Sequence, residues 1–262
     1  KEMMTISRSL VSLSLHRCVC GLLNMNGRFT WLQECVQLVH LDLGDGSHMD
    51  DKRLAKLVKN LGACTALRSL DIGVPRSVAP GTGPVSFIED ASPLLDLDQR
   101  TSLTRLGLRG HKLLKGVDLA YQAKTLSRLL SECTSLTYLD ISKISQDYDQ
   151  ESDLKLSSEH LADALGGCHH LTYLDISSNN IQQFSLAPSL FPSLHQCGPL
   201  THLNLSNNCL NGAAWVDFLA GMLDGSASTL THLDLSRNML NRKEKQAVLA
   251  AGRKMIGVTL LL

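Results

Sequence analysis

Cysteine and histidine are the residue types in this chain best suited to metal or redox chemistry, and the sequence of 262 residues holds 8 cysteines and 10 histidines. Their densest groups are Cys18-Val19-Cys20 and Cys168-His169-His170. A structural zinc site usually draws its ligands from two close pairs, such as C-x-x-C, and neither group has a second pair at that spacing. We therefore predict neither a metal site nor a bound cofactor.

Carboxylates form a second candidate ion site in the segment 145–153, SQDYDQESD. Asp147, Asp149, Glu151 and Asp153 alternate as the ligands of a calcium loop do. The central glycine and the terminal bidentate glutamate of such a loop are absent at their places. The segment is interpreted as a solvated acidic loop.

Catalytic motifs are missing from the sequence. It contains no G-x-x-x-x-G-K-(S/T), no G-x-G-x-x-G after a strand, no H-E-x-x-H and no G-x-S-x-G. No serine or cysteine nucleophile can be paired with a placed base. We predict that the chain has no catalytic residues and is not an enzyme.

Composition limits the classes of partner. Lys plus Arg and Asp plus Glu number 25 each, so no overall field favours nucleic acid or an anionic membrane. Hydrophobic residues make up 44 % of the chain, which is enough for a continuous core. No apolar run reaches the ~18 residues of a membrane span, and the start, KEMMTISRSLVSLSL, lacks the features of a signal peptide. We expect a folded, soluble protein that binds no nucleic acid and inserts into no membrane, with further sequence upstream of Lys1.

An internal repeat organises the chain. The frame L-x-x-L-x-(L/I) recurs eight times at a base period of 28 to 29 residues, with enlarged units between, and begins at Leu10, Leu38, Leu67, Leu103, Leu136, Leu171, Leu200 and Leu230. In the last three frames the ninth place holds Asn179, Asn208 and Asn238. Each frame predicts a short strand with inward leucines, and each Asn predicts a side chain that hydrogen-bonds the backbone where the chain turns. In the earlier frames the ninth place holds other residues, and we expect less regular turns there.

The second half of the unit predicts a helix, because apolar residues recur there at a spacing of three or four. The segments 52–64 and 215–223 show this pattern most clearly. The whole unit resembles the leucine-rich repeat, and its length resembles the ribonuclease-inhibitor-like subclass. The resemblance implies one α/β solenoid over residues 1–262, an arc or horseshoe of about eight repeats with parallel strands on the concave face and helices on the convex face. We expect an irregular, loop-rich insertion at 74–93 and the acidic loop insertion at 145–153.

The cysteines keep a constant position in this repeat. Five of them lie three residues before a frame, namely Cys35, Cys64, Cys133, Cys168 and Cys197, and Ser7, Arg100 and Ala227 stand at equivalent places. A position filled by Cys, Ser or Ala is typical of a small buried site between helix and strand. This packing role is favoured over zinc or disulfides, and buried thiols favour a reducing compartment.

The third and fifth residues of each frame project away from the core, onto the concave face. In the last four frames these places hold Tyr138, Tyr173, His202 and His232 beside Asp140, Asp175, Asn204 and Asp234. Tyrosine is enriched at the energetic centres of interfaces, and carboxylates suit a basic or mixed peptide surface. Asp at the fifth place is also common filler in such repeats, so the pattern is compatible with an interface and with a structural role. We predict that these eight residues bind a protein partner.

The function predicted is therefore a protein-interaction scaffold or a subunit of a larger intracellular hetero-complex, which binds through the concave face and the insertion loops. A cytoplasmic location, with a possible association to the cytoskeleton, follows from the predicted thiols and the missing signal peptide. One alternative is a GTPase-activating protein for a Ran-type GTPase, since that family shares the repeat subclass, and Arg17, Arg109 and Arg237 lie on turns beside the strands. Another is the sensor repeat module of a larger innate-immune-type receptor.

Overall fold

A single open sheet runs through the whole molecule. The computed structural model describes residues 8–15, 29–44, 49–74, 87–98, 103–113, 119–144, 162, 165–179, 181, 193–194, 197, 199–224, 229–253 and 259–262. Nine parallel strands follow one another in chain order, β1 Ser12–Ser14, β2 His40–Asp42, β3 Ser69–Asp71, β4 Arg105–Gly107, β5 Tyr138–Asp140, β6 Tyr173–Asp175, β7 His202–Asn204, β8 His232–Asp234 and β9 Thr259–Leu261. The eight predicted strands are confirmed, and a ninth closes the series.

Every strand pair is in register, so equivalent places of the repeat lie side by side. Leu139 of β5 pairs with Leu174 of β6, for example, and Leu174 pairs with Leu203 of β7. Because successive side chains of a strand alternate between the two faces, the leucines point inward and the third and fifth places share the other face. We call that second face the strand face.

Helices connect the strands on the side of the inward leucines. The described helices are α1 Asp51–Leu61, α2 Leu95–Asp98, α3 Leu119–Glu132, α4 Ala213–Asp224 and α5 Arg242–Gly252, with 3-10 turns at Thr30–Glu34 and Ser92–Leu94. The helices predicted at 52–64 and 215–223 are thus confirmed as α1 and α4. α1 begins at Asp51 because the carboxylate of Asp50 accepts a hydrogen bond from the Arg53 N–H, the usual role of an N-cap residue.

The core is a continuous aliphatic layer between strands and helices. Leu67, Leu139 and Leu174 are fully buried, and so are Leu57 and Leu61 on the inner side of α1. Burial of one such side chain stabilises the fold by about 2 kcal/mol. Leucines at the two ends of the array, Leu13 and Leu260 among them, are only half-buried because each has a neighbouring repeat on one side alone. The fold is a leucine-rich-repeat solenoid.

The asparagines hold the turns after the strands, as the sequence predicts. The Asn208 amide donates hydrogen bonds to the carbonyl oxygens of Leu205 and Ile176, and its oxygen accepts from the Asn179 N–H. Asn179 and Asn238 make equivalent bonds. Each Asn therefore joins its own turn to the turn of the preceding repeat, which satisfies buried backbone groups that would otherwise lack partners.

The fourth turn corrects one expectation. Its ninth place holds His111, and the turn is not irregular. The histidine ring forms hydrogen bonds with the backbone of the preceding repeat, as the asparagine amide does in the later turns. The ring Nε2 lies 2.8 Å from the carbonyl oxygen of Ile72, and Nδ1 accepts a hydrogen bond from the Ile88 N–H at 3.2 Å. The Ile72 carbonyl stands in the place that the Ile141 carbonyl takes for Asn179. Burial lowers the pKa of His111 to about 4, so the ring is neutral at pH 7.

The two predicted insertions are described only in part. Residues 145–153 lie outside the described residues, and so does 75–86 of the segment 74–93. Within 87–93, the Ser92 N–H and hydroxyl both donate hydrogen bonds to the Asp90 carboxylate ahead of the 3-10 turn. Among the described helices, none has the length and hydropathy required to cross a membrane.

The predicted packing role of the cysteines is confirmed at all five places. Cys35, Cys64, Cys133, Cys168 and Cys197 are buried, and none of the six described cysteines forms a disulfide. The Cys64 thiol donates a hydrogen bond to the Leu32 carbonyl of the preceding repeat, and the Cys197 thiol donates to that of Leu165. Burial raises the pKa of Cys64 to about 11 and that of Cys197 to about 12, which keeps these thiols protonated and unreactive. Cys18 and Cys20 lie outside the described residues.

Candidate protein-interaction surface

Threonines at the second place of the frame hold neighbouring strands in line beneath the candidate surface. The Thr172 hydroxyl donates a hydrogen bond to the Thr137 carbonyl at 3.0 Å, and the Thr201 hydroxyl donates to the Thr172 carbonyl at 2.9 Å. Thr104, Thr137 and Thr231 make the same contact. Since the bond recurs from strand to strand, the third-place side chains that follow each threonine are stacked directly beside one another.

A row of flat side chains, each in contact with the next, crosses five strands on the strand face. We call this row, formed by Arg105, Tyr138, Tyr173, His202 and His232, the ring ladder. The ring centroids of Tyr138 and Tyr173 are 4.2 Å apart with an interplanar angle of 11°, and those of His202 and His232 are 4.1 Å apart at 9°. Tyr173 and His202 join the two pairs at 5.9 Å and 30°. The Arg105 guanidinium covers the free face of Tyr138, with its carbon 3.7 Å from the ring centroid.

The rings of the ladder are held in place by their neighbours. Burial raises the pKa of Tyr138 and of Tyr173, and the nearby carboxylate of Asp140 acts in the same direction on both. Burial, followed by the proximity of His232, lowers the pKa of His202. The hydroxyl of the preceding threonine lies 2.9 Å from Nδ1 of each histidine. Ordered aromatic side chains lose little conformational entropy when a partner binds them.

The fifth-place residues hold the turns that follow the strands. One side-chain oxygen of Asp140, Asp175, Asn204 and Asp234 accepts a hydrogen bond from the N–H two residues further along, at 2.9 to 3.0 Å. Asp42 and Asp71 do the same in the first repeats. This geometry is that of an Asx turn, in which a short polar side chain satisfies the backbone of a tight turn.

The second carboxylate oxygens differ in accessibility along the face. Asp140 is paired with Arg109 at 3.2 Å, and Asp175 accepts a hydrogen bond from the Asn204 amide at 2.9 Å. Asp140 is 2 % exposed and Asp175 is fully buried, whereas Asn204 and Asp234 are half-buried. The structure therefore brings all eight predicted site residues onto one face, but it places the carboxylates of Asp140 and Asp175 below the accessible surface.

A polar pocket of about 130 Å³ adjoins the ladder at its Arg105 end. It exists because the fifth place of β4 is Gly107: a Cβ built there would lie 2.7 Å from Cγ of Asp71. Asp71 leans into this gap, and burial raises the pKa of its carboxyl while the Gly73 N–H and Arg109 oppose the rise. Ser69, Asp42 and Tyr138 complete the lining.

A second groove of about 150 Å³ lies at the other end, between the third-place and fifth-place columns of β6 to β9. Its lining is mostly apolar and includes His202, His232 and Leu261. Leu261 occupies the fifth place of β9, where Asp or Asn stands in β5 to β8, and its side chain is 51 % exposed.

Sequence reasoning did not single out Arg105, Thr259 or Leu261. Arg105 stands in the same third-place column as the two tyrosines, so its position was predictable and its stacking on Tyr138 was not. Thr259 and Leu261 belong to the final apolar run, whose pairing with β8 puts them on the strand face. His169 and His170 are exposed, and within the described part of the chain no group of three or more His, Cys, Asp or Glu residues is placed to hold a metal ion.

Two of the three candidate arginines can be located. Arg109 is committed to the fold, because its Nε–H donates a hydrogen bond to the Val74 carbonyl and its guanidinium pairs with Asp140. Arg237 is exposed and adopts a left-handed backbone with φ of 58°. Arg17 lies outside the described residues.

Comparison with known proteins adds a repeat match and distant structural likeness. A sequence model described as "Leucine Rich repeat" matches residues 167–183 and 196–213, which hold the frames of β6 and β7. A comparison with curated proteins found no match. An internalin from Listeria monocytogenes is 19 % identical with a TM-score of 0.45, over 89 % of this chain and 63 % of the internalin. A leucine-rich-repeat protein of Leptospira interrogans is 14 % identical with a TM-score of 0.29, over 89 % of this chain and 74 % of that protein.

The chain thus spans less than two thirds of the length of that internalin. The repeat match agrees with the architecture, since the matched segments contain Asn179 and Asn208 and the strands in front of them. The class is therefore that of the leucine-rich-repeat solenoids, a scaffold with one regular strand face and one helical side.

Proposed function

We propose that the protein is an interaction scaffold that binds a protein partner on its strand face. The observation that carries this proposal is the ring ladder, in which two stacked ring pairs joined by one tilted contact, and capped by Arg105, line up over β4 to β8. A fold gains little from placing tyrosines on its solvent side, whereas an interface gains rigid contact area from them. The proposed binding surface comprises Tyr138, Tyr173, His202, His232, Asp140, Asp175, Asn204 and Asp234.

The chemistry of the surface defines the kind of contact a partner makes. The faces of the inner rings are occupied by their neighbours, so a partner meets ring edges, two phenol hydroxyls and the imidazole N–H groups. Asn204 and Asp234 offer acceptors beside these edges. Asp140 and Asp175 contribute by holding the turns and by the negative potential beneath the rings, which favours a partner of mixed or basic composition.

The context of this scaffold is part of the same proposal. The proposal includes a place in a larger hetero-complex of the cytoplasm or its cytoskeleton, and the buried cysteines that pack as thiols support the reducing compartment. The unit length of 28 to 29 residues supports the ribonuclease-inhibitor-like subclass.

The GTPase-activating alternative is less well supported by the geometry. Such a protein needs an arginine or polar group that reaches the nucleotide of its partner. Arg109 instead holds Val74 and Asp140, and its side chain is 15 % exposed. The sensor alternative shares the strand face with the proposed scaffold and differs only in the domains attached to it.

The experiment that tests the proposal compares the two sides of the solenoid. A photo-cross-linking amino acid is placed at Tyr173, on the strand face, or at Tyr121, the exposed aromatic of α3, and the captured partner is identified and purified. The double variant Tyr173→Ala, His202→Ala is expected to weaken binding of that partner at least 10-fold, an effect typical of interface hot spots. Tyr121→Ala removes an equal aromatic from the helical side and is expected to bind as the wild type does.

The opposite pattern contradicts the proposal. If Tyr121→Ala weakens the purified complex and the double variant does not, the binding surface lies on the helical side. Tyr173 and His202 project away from the buried leucines, so we expect both variants to stay folded. Circular dichroism spectra and melting temperatures of both variants check that a loss of binding is not caused by a loss of fold.

A further inference from the structure

The ring ladder stops one strand short of the edge of the sheet. β9 pairs with β8 in the same register as the other strands, so Thr259 occupies the place next to His232. Thr259 is exposed and carries no ring, while the stacked rings of His202 and His232 on the preceding strands are 4.1 Å apart. A flat group above Thr259 would lie one strand spacing, about 4.8 Å, from His232 and within stacking distance.

The space at this position is open and largely apolar. The groove of about 150 Å³ reaches from Tyr173 to Thr259 and Leu261, and Leu203 and Leu233 contribute to its floor. An apolar cavity of about 150 Å³ is large enough to hold a benzene ring. Leu261, 51 % exposed, forms an uncovered apolar wall on the strand face.

We propose that an aromatic side chain of a protein partner inserts above Thr259 and extends the ring ladder by a sixth layer. This inference rests on the proposed function and names the chemistry that the strand face recognises at its β9 end. The inserted ring stacks on the outer side of the His232 imidazole and covers the Leu261 side chain. A tyrosine or phenylalanine of the partner meets both requirements, because one flat apolar ring satisfies the stack and the wall together.

Competing groups fit less well at this end. An arginine would stack on the imidazole, but Asp234 is the only carboxylate among the groove residues, and one of its oxygens already accepts a hydrogen bond from the Ser236 N–H. An aliphatic side chain would cover Leu261 and leave the imidazole face without a partner ring. The Arg105 end is the reverse case: there a guanidinium already covers the last ring, beside Asp42 and Asp71.

The first test uses a minimal probe. N-acetyl-tyrosine amide is titrated into protein with labelled leucine methyls and histidine rings, and N-acetyl-leucine amide and N-acetyl-arginine amide serve as controls. We expect saturable upfield ring-current shifts of the Leu261 methyls and a shift of the His232 ring, with at least 5-fold weaker binding of both controls. Absence of saturable shifts, or equal or tighter binding of either control, overturns the inference, and tighter arginine binding would show that the end of the ladder selects a cation.

The second test fills the site from within. Thr259→Tyr places a ring where the partner ring is proposed to lie, so it is expected to weaken probe binding at least 10-fold and to raise the melting temperature. Thr134→Tyr, a matched change at an exposed turn after α3, is expected to leave both unchanged. Undiminished probe binding by a folded Thr259→Tyr variant contradicts the proposed position of the ring.

The failures of the two proposals are distinguishable. If the captured partner depends on Tyr173 and His202 but binds Thr259→Tyr as tightly as the wild type, the strand face is the interface and the sixth layer is wrong. If the partner contacts only the helical side while N-acetyl-tyrosine amide still saturates at Leu261, the groove binds rings and the proposed function is wrong.

Discussion

His111 shows how one buried residue can replace another of different shape when its hydrogen-bonding groups are equivalent. An asparagine amide at this place presents a donor to the preceding repeat and an acceptor to a backbone N–H. The neutral imidazole presents the same pair, with the proton on Nε2 because Nδ1 accepts from Ile88. Asparagine does not titrate near neutral pH and histidine does, so the exchange introduces a pH dependence.

We predict that His111 makes the fold less stable in mild acid. Its pKa falls from 6.5 to about 4 on folding, so the unfolded chain binds this proton more tightly. The stability contributed by the neutral ring is complete above pH 6.5 and is lost as the pH falls towards 4. At ~1.36 kcal/mol per pKa unit the loss amounts to about 3 kcal/mol. Urea unfolding of wild type and His111→Asn between pH 7 and 4 measures it, and parallel stability curves for the two proteins would contradict the assignment.

Among the described glycines, Gly107 comes closest to a carboxylate, that of Asp71. A Cβ there would lie 2.7 Å from Cγ of Asp71, whereas a Cβ at Gly221 in α4 meets nothing within 4 Å. Gly107→Ala is therefore expected to destabilise the fold by about 1–3 kcal/mol, the range for overpacking. Gly221→Ala is expected to stabilise it by up to ~1 kcal/mol through helix propensity. Denaturant melts compare the two. Asp71→Ala itself loses the turn bond to the Gly73 N–H, but in that background Gly107→Ala should cost less than it does in the wild type.

At the scale of the element, the turns after the strands share one backbone conformation. The eighth place of five successive frames has a positive φ, from 55° to 77°, at Gly110, Lys143, Ser178, Asn207 and Arg237. Its N–H reaches the next repeat; the Lys143 N–H, for instance, donates a hydrogen bond to the Ser177 carbonyl. The left-handed conformation is costly for residues with a Cβ, so these turns are held by the ladder of hydrogen bonds and not by local preference.

Two lysine-to-glycine substitutions compare the backbone of this turn with that of a helix. Lys143→Gly removes the Cβ from a left-handed position and is expected to stabilise the protein by up to ~1 kcal/mol. Lys56→Gly, at an exposed position within α1, is expected to destabilise it by about 1 kcal/mol. Thermal melts of both variants provide the measurement, and a loss of stability in Lys143→Gly would show that the side chain of this residue contributes more than its backbone costs.

The elements also show how far the sequence alone predicts the molecule. The period of the leucines predicts eight strands and their inward faces. Side chains alternate between the two faces of each strand, and strands that pair in register place equivalent residues on the same face. The columns of the strand face follow from the same alternation. The burial of Asp140 and Asp175 does not, since it depends on Arg109 and Asn204 leaning in from neighbouring repeats. The stacking of Arg105 on Tyr138 likewise depends on side-chain rotation, which a periodic pattern does not encode.

At the scale of the whole molecule, the described strands pair only with the strands of neighbouring repeats. The strand order β1 to β9 follows the sequence, so within these nine strands β2 to β8 each pair on two sides, and β1 and β9 on one. The stability of such an array is close to a sum of repeat and interface contributions, and its ends open more easily than its middle. A partner on β4 to β8 therefore binds the best-supported part of the sheet.

We predict a gradient of hydrogen-exchange protection along the sheet, with slow exchange of the strand amides of β5 and β6 and fast exchange in β1 and β9. Leu139 and Leu174 are fully buried, while Leu13 and Leu260 are half-buried. Accordingly, Leu139→Ala should cost about 3–5 kcal/mol and Leu13→Ala about 1 kcal/mol, because the second removes a side chain that solvent already reaches. Exchange mass spectrometry and denaturant melts supply the two measurements. Uniform protection from β1 to β9 would contradict this gradient and show that the array unfolds as one unit. In that case a partner ring bound above Thr259 would not increase the protection of the β9 amides alone.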